Sequence, residues 1–328
     1  MKVTRFKCGS FTIGFSSNHV LLDGIAAGEF LANFASLARG LGMQTWPDPD
    51  RTTLRARSPP RVEFDHFEYT WLPGVPFTKQ LDPTTTYTEA DALAAATSRG
   101  RGLQDYAYKN FHVDGNMVKQ LKRAAGGGFT TTFEALAAHL WQCRTAALND
   151  SLDGNREDYS SFLFAVNFRQ SMEPPLPSGF AGNAVLCACA RAKSTDLLSQ
   201  PLSFAVSKVQ EARIRITNDY VRSAIDCLEI NKGVPLSDTT LYVSAWWKII
   251  KLQNLDFGWG MPICAGPILS EMVAYVLFVS DGTPDGLNVL LAMPTGILSK
   301  FGKLFLQPGP NNTFFPYINE ASHDSILN

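Results

Sequence analysis

The alternation of apolar and polar residues predicts short strands and amphipathic helices along the chain. Residues 9–18 alternate as a half-buried strand does. Residues 24–39 repeat apolar side chains at helical spacing, and Gly40 follows as a stop signal. Residues 46–60 are rich in Pro, Asp and Arg, which indicates a surface loop. The first sixty residues are therefore predicted to contain a strand, a helix and a loop.

Further helices and strands follow in no regular order. Strands are predicted at 106–113, 161–168, 184–190, 241–247, 272–279 and 287–291, and helices at 116–125, at 202–226 and after the capping box Thr131-Thr132-Phe133-Glu134. The last two strands flank a turn at 281–286 and predict a hairpin. This irregular mixture indicates an α/β (α+β) protein with mixed sheets flanked by helices.

A Pro-rich segment separates two parts of the chain. Residues 72–104 contain three prolines, a Thr run and the turn Gly100-Arg101-Gly102. Such a composition is typical of a connection between domains, and 328 residues suffice for about two domains. We therefore expect one unit at 1–72, a crossover at 73–104 and a second unit at 105–328.

Composition and charge exclude several classes of protein. The formal net charge is −1, which favours neither nucleic acid nor an anionic membrane as a partner. Met272–Val279, the most apolar stretch, is far shorter than a membrane span. The six cysteines form no CxxC pair, which is typical of reduced thiols in a cytoplasmic protein. We expect a cytoplasmic protein without a membrane span and without a bound metal.

The segment His19-Val20-Leu21-Leu22-Asp23-Gly24 lies between the first strand and the first helix. Histidine is the side chain best suited to accept a proton near neutral pH. Asp23 is close enough to fix the local geometry, and Gly24 can adopt backbone angles that other residues avoid. Two other interpretations remain: His19 as a core histidine at a strand end, and Asp23 as a second acid or a metal ligand. The isolated pattern is a weak signal.

A second motif, Asp256-Phe257-Gly258-Trp259-Gly260, lies far downstream. Its first three residues also spell the DFG of protein kinases, but the chain has no HRD loop and no glycine-rich phosphate loop. The Gly-Trp-Gly part does not continue to the GxGxxG pattern of dinucleotide-binding proteins. The motif therefore indicates neither a kinase nor a Rossmann site.

Together the two motifs resemble those of the BAHD acyltransferases, plant enzymes that transfer acyl groups from coenzyme A. The resemblance covers nearly the whole chain and is closest to members that transfer hydroxycinnamoyl or feruloyl groups. Further matching stretches are Val3–Gly9, Thr132–Arg144, Asn167–Asn183 and Trp247. It implies a two-domain, chloramphenicol-acetyltransferase-like fold. Only eighteen residues precede His19, so we expect the first domain to be incomplete. Ala245 also departs from the family, which often has a hydroxyl residue there.

The resemblance also implies roles for individual residues. His19 and Asp23 form the catalytic motif, with His19 as general base and Asp23 turned away and paired with an arginine, for which Arg169 is the candidate. The alternative for Arg169 is an unrelated surface arginine. The residues expected to support the site structurally are Gly24, Arg169, Asp256, Gly258, Trp259 and Gly260. Among them, Trp259 is expected to be a packing anchor. Trp247 and Asn183 are possible substrate-channel residues.

The implied reaction uses acyl-CoA as co-substrate, with no permanently bound cofactor. The acceptor is a small alcohol or amine, and the enzyme is expected to be a monomer. A second hypothesis is a truncated, catalytically inactive acyltransferase-like protein. A peptide-synthetase condensation domain shares the histidine pattern, but the DFGWG motif argues against it.

Overall fold

The computed structural model describes residues 1–69, 106–149, 159–230, 240–249, 252–266, 275–283 and 285–306. The crossover predicted at 73–104 lies outside these residues, so the proposed domain boundaries rest on sequence alone. Within the described part, no helix combines the length and the apolar character needed to span a bilayer.

A small hairpin and one helix form the beginning of the chain. Strand β1 (Lys2–Arg5) pairs antiparallel with β2 (Phe11–Gly14). Helix α1 (Gly24–Ala38) follows, and a loop with one 3₁₀ turn at Thr52–Leu54 leads on from it. The strand predicted at 9–18 is therefore shorter than expected, because the residues after Gly14 turn towards α1 instead of extending the hairpin.

Six strands form one mixed sheet, which confirms the predicted fold class. The strands are β3 (Tyr106–Val113), β4 (Tyr159–Asn167), β5 (Val185–Lys193), β6 (Thr240–Ala245), β7 (Tyr275–Ser280) and β8 (Leu287–Pro294). Their order across the sheet is β3-β8-β7-β6-β4-β5. The pairs β4–β6 and β6–β7 are parallel, and the other three are antiparallel. The predicted hairpin is the β7–β8 pair.

The remaining helices pack around the sheet. They are α2 (Gly115–Ala124), α3 (Thr132–Asn149), α4 (Ser194–Ser199), α5 (Leu202–Ile214), α6 (Asn218–Ile230), α7 (Trp246–Ile249) and α8 (Thr295–Leu306). Helix α3 lies in the core, where Trp141 is fully buried and its indole N–H donates to Ser160 Oγ at 2.8 Å. His139 is equally buried, and this burial lowers its pKa to about 4, so it is a neutral core histidine.

Two predicted elements are interrupted. The single helix predicted at 202–226 is wrong, because the chain breaks between α5 and α6. There the Thr217 hydroxyl accepts a hydrogen bond from the Tyr220 N–H at 3.3 Å and so begins a new helix. The strand predicted at 241–247 ends at Ala245, where α7 begins.

The predicted capping box begins α3. Thr131 Oγ1 accepts from the Glu134 N–H at 3.2 Å, and Glu134 Oε2 accepts from the Thr131 N–H at 2.9 Å. We expect Thr131→Ala to lower the free energy of unfolding by about 1 kcal/mol, because one N–H of the first turn loses its acceptor. Urea denaturation measures the change, with Thr130→Ala as the neighbouring control. An unfolding free energy equal to that of the wild type would contradict a capping role.

Candidate active site

His19 lies in a tight turn, residues 18–21, that joins β2 to α1. The Leu21 N–H donates to the carbonyl of Asn18 at 3.0 Å, and the Val20 N–H donates to its side-chain oxygen at 3.0 Å. His19 is exposed, so the alternative of a core histidine is wrong. Its imidazole makes no hydrogen bond to any residue that the structure describes. Both ring nitrogens are therefore without a hydrogen-bond partner within that part of the chain.

Side chains from outside the turn bind three successive carbonyls within it. Asn183 Nδ2 donates to the carbonyls of His19 at 2.7 Å and Val20 at 3.1 Å. Arg51 Nη2 donates to the carbonyl of Leu21 at 2.9 Å. The sequence suggested Asn183 as a channel residue, and the structure shows that it contacts the backbone of the turn. Its amide thus helps to fix where His19 lies.

Asp23 is buried and caps α1. Its Oδ1 accepts from the N–H groups of Ile25 at 3.1 Å and Ala26 at 2.9 Å, and its Oδ2 accepts from the Ala184 N–H at 3.0 Å. Arg169 adds two parallel bonds, Nη1 to Oδ2 at 2.7 Å and Nη2 to Oδ1 at 3.0 Å. The predicted pairing with Arg169 is therefore present, in the bidentate geometry that suits a guanidinium and a carboxylate.

Hydrogen bonds keep Asp23 ionised despite its burial. Burial alone would raise the pKa of this carboxyl, but the bonds from Arg169 and from the N–H groups of Ala26 and Ala184 outweigh it, and the pKa lies below its usual range. All five bonds to this carboxylate come from backbone N–H groups or from the Arg169 guanidinium. Asp23 is thus occupied as a cap and ion-pair partner, and the hypotheses of a second acid or a metal ligand lose their support.

Arg169 is nearly as buried as Asp23, so the alternative of an unrelated surface arginine is wrong. Besides Asp23, its Nη2 donates to the Gly182 carbonyl at 3.1 Å. Its guanidinium also lies 5.6 Å from the centre of the Phe180 ring. One arginine therefore joins the start of α1 to the loop that precedes β5.

Glycines in that loop are required by close packing. Gly179 has φ +81°, and a Cβ there would lie 2.2 Å from the Trp46 carbonyl oxygen. A Cβ on Gly182 would lie 2.8 Å from the Phe180 ring and 3.2 Å from Arg51 Nε. Gly24, in contrast, is simply the first residue of α1, so the expectation of unusual backbone angles there is wrong.

The DFGWG loop folds around the carboxylate of Asp256. Asp256 Oδ1 accepts from the N–H groups of Gly258 at 2.7 Å and Gly260 at 3.1 Å, which lowers its pKa. Both glycines have positive φ, +103° and +99°, which favours glycine at these positions. Asp256 Oδ2 lies 3.6 Å from Arg39 Nη1, and the Phe257 ring packs edge-on against Phe34 at 5.6 Å.

These contacts place the DFGWG loop against the C-terminal half of α1. Phe34 lies ten residues beyond Gly24, roughly 15 Å along the helix from the end that follows His19. The loop therefore supports α1 at a distance from the imidazole.

The two tryptophans have different surroundings. Trp259 is 80% exposed, and its ring contacts Phe11 edge-on at 5.4 Å. The prediction of a packing anchor is wrong, because the described core does not surround this side chain. Trp247 lies in α7, is partly buried, and its ring centre is 5.7 Å from that of Phe278. It packs against the sheet core; its predicted role in a channel stays a prediction.

Sequence reasoning missed Arg51, Gly179 and Gly182. The sequence places Arg51 only in a surface loop. Gly182 belongs to the stretch 167–183 that matches the family, but the sequence predicts a packing role neither for it nor for Gly179. Among the described residues, no group of three or more His, Cys, Asp or Glu side chains is arranged to hold a metal ion.

Comparison with known proteins identifies the family. The model of the Transferase family matches residues 1–306. The chain therefore belongs to this family, the BAHD acyltransferases that its two motifs resemble.

Its relatives and a solved structure extend this result. Omega-hydroxypalmitate O-feruloyl transferase of Arabidopsis thaliana is 36% identical, with 93% of this chain and 64% of the relative covered. Fatty alcohol:caffeoyl-CoA acyltransferase of the same plant is 33% identical, with 92% of this chain and 65% of the relative covered. Vinorine synthase shares the fold with a TM-score of 0.65 at 19% identity, over 91% of this chain and 62% of that structure. The chain thus spans less than two thirds of the length of each of these proteins.

Proposed function

We propose that the protein is an acyl-CoA-dependent acyltransferase in which His19 is the general base. The observation that carries this proposal is the contrast between the two motif side chains. His19 is exposed, and its ring nitrogens make no hydrogen bond to a described residue, whereas Asp23 is buried, ionised and fully bonded. Of these two side chains, His19 is therefore the one able to exchange a proton with a substrate.

In the proposed reaction, His19 accepts the proton of the acceptor hydroxyl or amine as that group attacks the thioester carbon of acyl-CoA. The new bond forms to oxygen or nitrogen, and the negative charge moves to the carbonyl oxygen. When this intermediate collapses, the carbon–sulfur bond breaks and the CoA thiolate leaves, taking up the proton that the imidazole holds. A positioned base contributes roughly 10²–10⁴-fold to such a reaction. The remaining acceleration comes from holding both substrates in place.

The names of the relatives support a hydroxycinnamoyl or feruloyl donor. One relative is named for feruloyl transfer to omega-hydroxypalmitate and another for caffeoyl-CoA and fatty alcohols. We accordingly propose a long-chain alcohol or ω-hydroxy acid as acceptor.

Three expectations from the sequence belong to the same proposal. The first is the division into units at 1–72 and 105–328, supported by the six-stranded sheet that residues 106–294 form by themselves. The second is a cytoplasmic location, supported by six cysteines that are all free thiols. The third is a monomeric state, which rests on the family resemblance.

Release of free CoA thiol tests the proposal directly. The purified chain is incubated with feruloyl-CoA and either ω-hydroxypalmitate or a long-chain alcohol, and the thiol is titrated while mass spectrometry identifies the ester. We expect thiol release that depends on the acceptor and matches the ester formed. Release equal to that without acceptor would contradict the proposal and favour the inactive acyltransferase-like protein.

A further inference from the structure

We propose that Arg51 is a positioning residue for His19, which holds the turn at residues 18–21 in its working place. The inference rests on the proposed function for its catalytic consequence. Its structural part, a tether between Arg51 and that turn, can be tested without any activity.

The guanidinium of Arg51 bridges two distant segments. Its Nη2 donates to the Leu21 carbonyl at 2.9 Å and to the Ala181 carbonyl at 3.1 Å, and its Nε donates to Ala181 at 3.3 Å. Ala181 lies 130 residues beyond Arg51 in the chain. Several N–H groups in one rigid plane can reach both carbonyls together, whereas the single ammonium of lysine cannot reproduce this geometry.

The backbone around Arg51 is itself held against the loop before β5. The Asp48 N–H donates to the Gly179 carbonyl at 2.9 Å, and the Ala181 N–H donates to the Asp48 carbonyl at 2.7 Å. Asp50 then accepts from the Thr52 N–H at 2.9 Å, which fixes the next turn of chain. The side chain of Arg51 therefore extends from an anchored segment of backbone, and its bonds to Ala181 and Leu21 place the guanidinium between the two carbonyls.

The contacts of Arg51 complement those of Asn183. Asn183 binds the carbonyls of His19 and Val20, and Arg51 binds the carbonyl of Leu21. The bond within the turn, from the Leu21 N–H to Asn18, does not depend on Arg51. Without Arg51 we therefore expect an intact turn that can shift relative to the loop before β5.

Such a shift affects the chemical step more than substrate binding. Arg51 acts through the backbone of Leu21, whereas the reacting atoms meet the imidazole. A displacement of about 1 Å can lower a rate by about 10²-fold. We expect Arg51→Ala to lower kcat by roughly 10–100-fold and to leave both KM values within about threefold.

Arg55 offers a matched control four residues away. It is exposed, and its guanidinium makes no hydrogen bond to any described residue. Arg55→Ala is expected to keep wild-type kcat. The kcat of Arg51→Lys is expected to lie between that of Arg51→Ala and that of the wild type. Millimolar guanidinium is expected to raise the kcat of Arg51→Ala and to leave the kcat of the wild type unchanged. A loss of rate in Arg51→Ala equal to that in Arg55→Ala would overturn the proposal.

A spectroscopic measurement tests the tether independently of turnover. The chain contains three Leu-Leu pairs, at 21–22, 197–198 and 290–291. With ¹³C-carbonyl and ¹⁵N leucine labels, a carbonyl–amide correlation spectrum shows signals from Leu-Leu peptide bonds only. In Arg51→Ala we expect the Leu21–Leu22 signal to move while the two signals from β8 and α4 stay in place. Unmoved signals would overturn the tether.

The outcomes separate the two proposals. A wild-type chain without thiol release contradicts the proposed function, and the spectrum still decides whether Arg51 holds the turn. An active wild type with an unchanged Arg51→Ala contradicts the positioning role alone. If Arg51→Ala does not fold, Arg51→Lys and Arg51→Gln replace it in both measurements.

Discussion

Replacement of His19 by alanine is expected to lower kcat for thiol release by roughly 10²–10⁴-fold, because the acceptor would lose its general base. His19 is exposed and makes no hydrogen bond within the described residues, so the fold does not depend on its imidazole. We therefore expect the melting temperature to stay within about 1 °C of the wild type. Thiol titration under saturating feruloyl-CoA and acceptor measures the rate.

His112 provides the control for activity; unlike His19, its imidazole contacts a carboxylate, Asp281 Oδ2 at 2.9 Å, so only the rates of the two variants are compared. Its side chain is 58% exposed, and it lies on β3, at the edge of the sheet opposite to β5. Five strand spacings, roughly 24 Å, separate β3 from β5, the strand that Asn183 precedes. His112→Ala should therefore keep wild-type activity. Undiminished activity in His19→Ala would end the proposed mechanism, whatever the control shows.

The second large effect is expected at the ion pair of Asp23 and Arg169. Asp23→Asn keeps the shape of the side chain but leaves Arg169 as a buried cation without its carboxylate. Breaking a buried pair by removing one partner costs about 3–5 kcal/mol. We expect a loss of this size in the free energy of unfolding, measured with urea. Arg169→Met should cost a similar amount, and the double variant should cost clearly less than the sum of the two.

An exposed pair gives the contrast. Lys208 and Glu211 form an ion pair on α5 with side chains 30% and 55% exposed. Glu211→Gln should change the free energy of unfolding by less than about 0.5 kcal/mol, because water screens such pairs.

Strict additivity of the Asp23 and Arg169 variants would show that the two residues stabilise the protein independently and would contradict the pairing.

The same pair predicts a pH dependence. The pKa of Asp23 is lower in the folded protein than its ordinary value of 3.8. Its contribution to stability is therefore complete above about pH 4 and is lost as the pH falls through the folded pKa. The difference in unfolding free energy between wild type and Asp23→Asn should shrink below pH 4. A difference that stays constant down to pH 2 would contradict this assignment.

The family resemblance made part of the site predictable from sequence. Asp23 and Arg169 could be paired in advance because the resemblance implies an arginine partner for this aspartate, and Arg169 lies in one of the matching stretches. Arg51 could not be found in this way. Its partners are the carbonyl oxygens of Leu21 and Ala181, and backbone atoms leave no pattern in a sequence. Asn183 was noticed for its motif, but its contact with His19 was hidden for the same reason.

The fold shows a similar division. The apolar pattern predicts β3 at its observed bounds, because the alternation of apolar and polar residues begins and ends with the strand. Residues 202–226 keep an apolar helical period across Thr217, so the pattern alone predicts one helix. The hydroxyl cap at Thr217 starts a new helix without interrupting that period. The family resemblance predicted a packing anchor at Trp259, yet the neighbours that decide the exposure of this side chain are set by tertiary packing.

The bond between Arg169 and Asp23 joins residues 146 positions apart. During synthesis the segment that contains His19 and Asp23 leaves the ribosome first, and Arg169 is translated later. At about 5–20 residues per second, this delay amounts to roughly 7–30 s. The start of α1 therefore lacks its buried counter-charge on the ribosome until the segment that contains Arg169 has been translated.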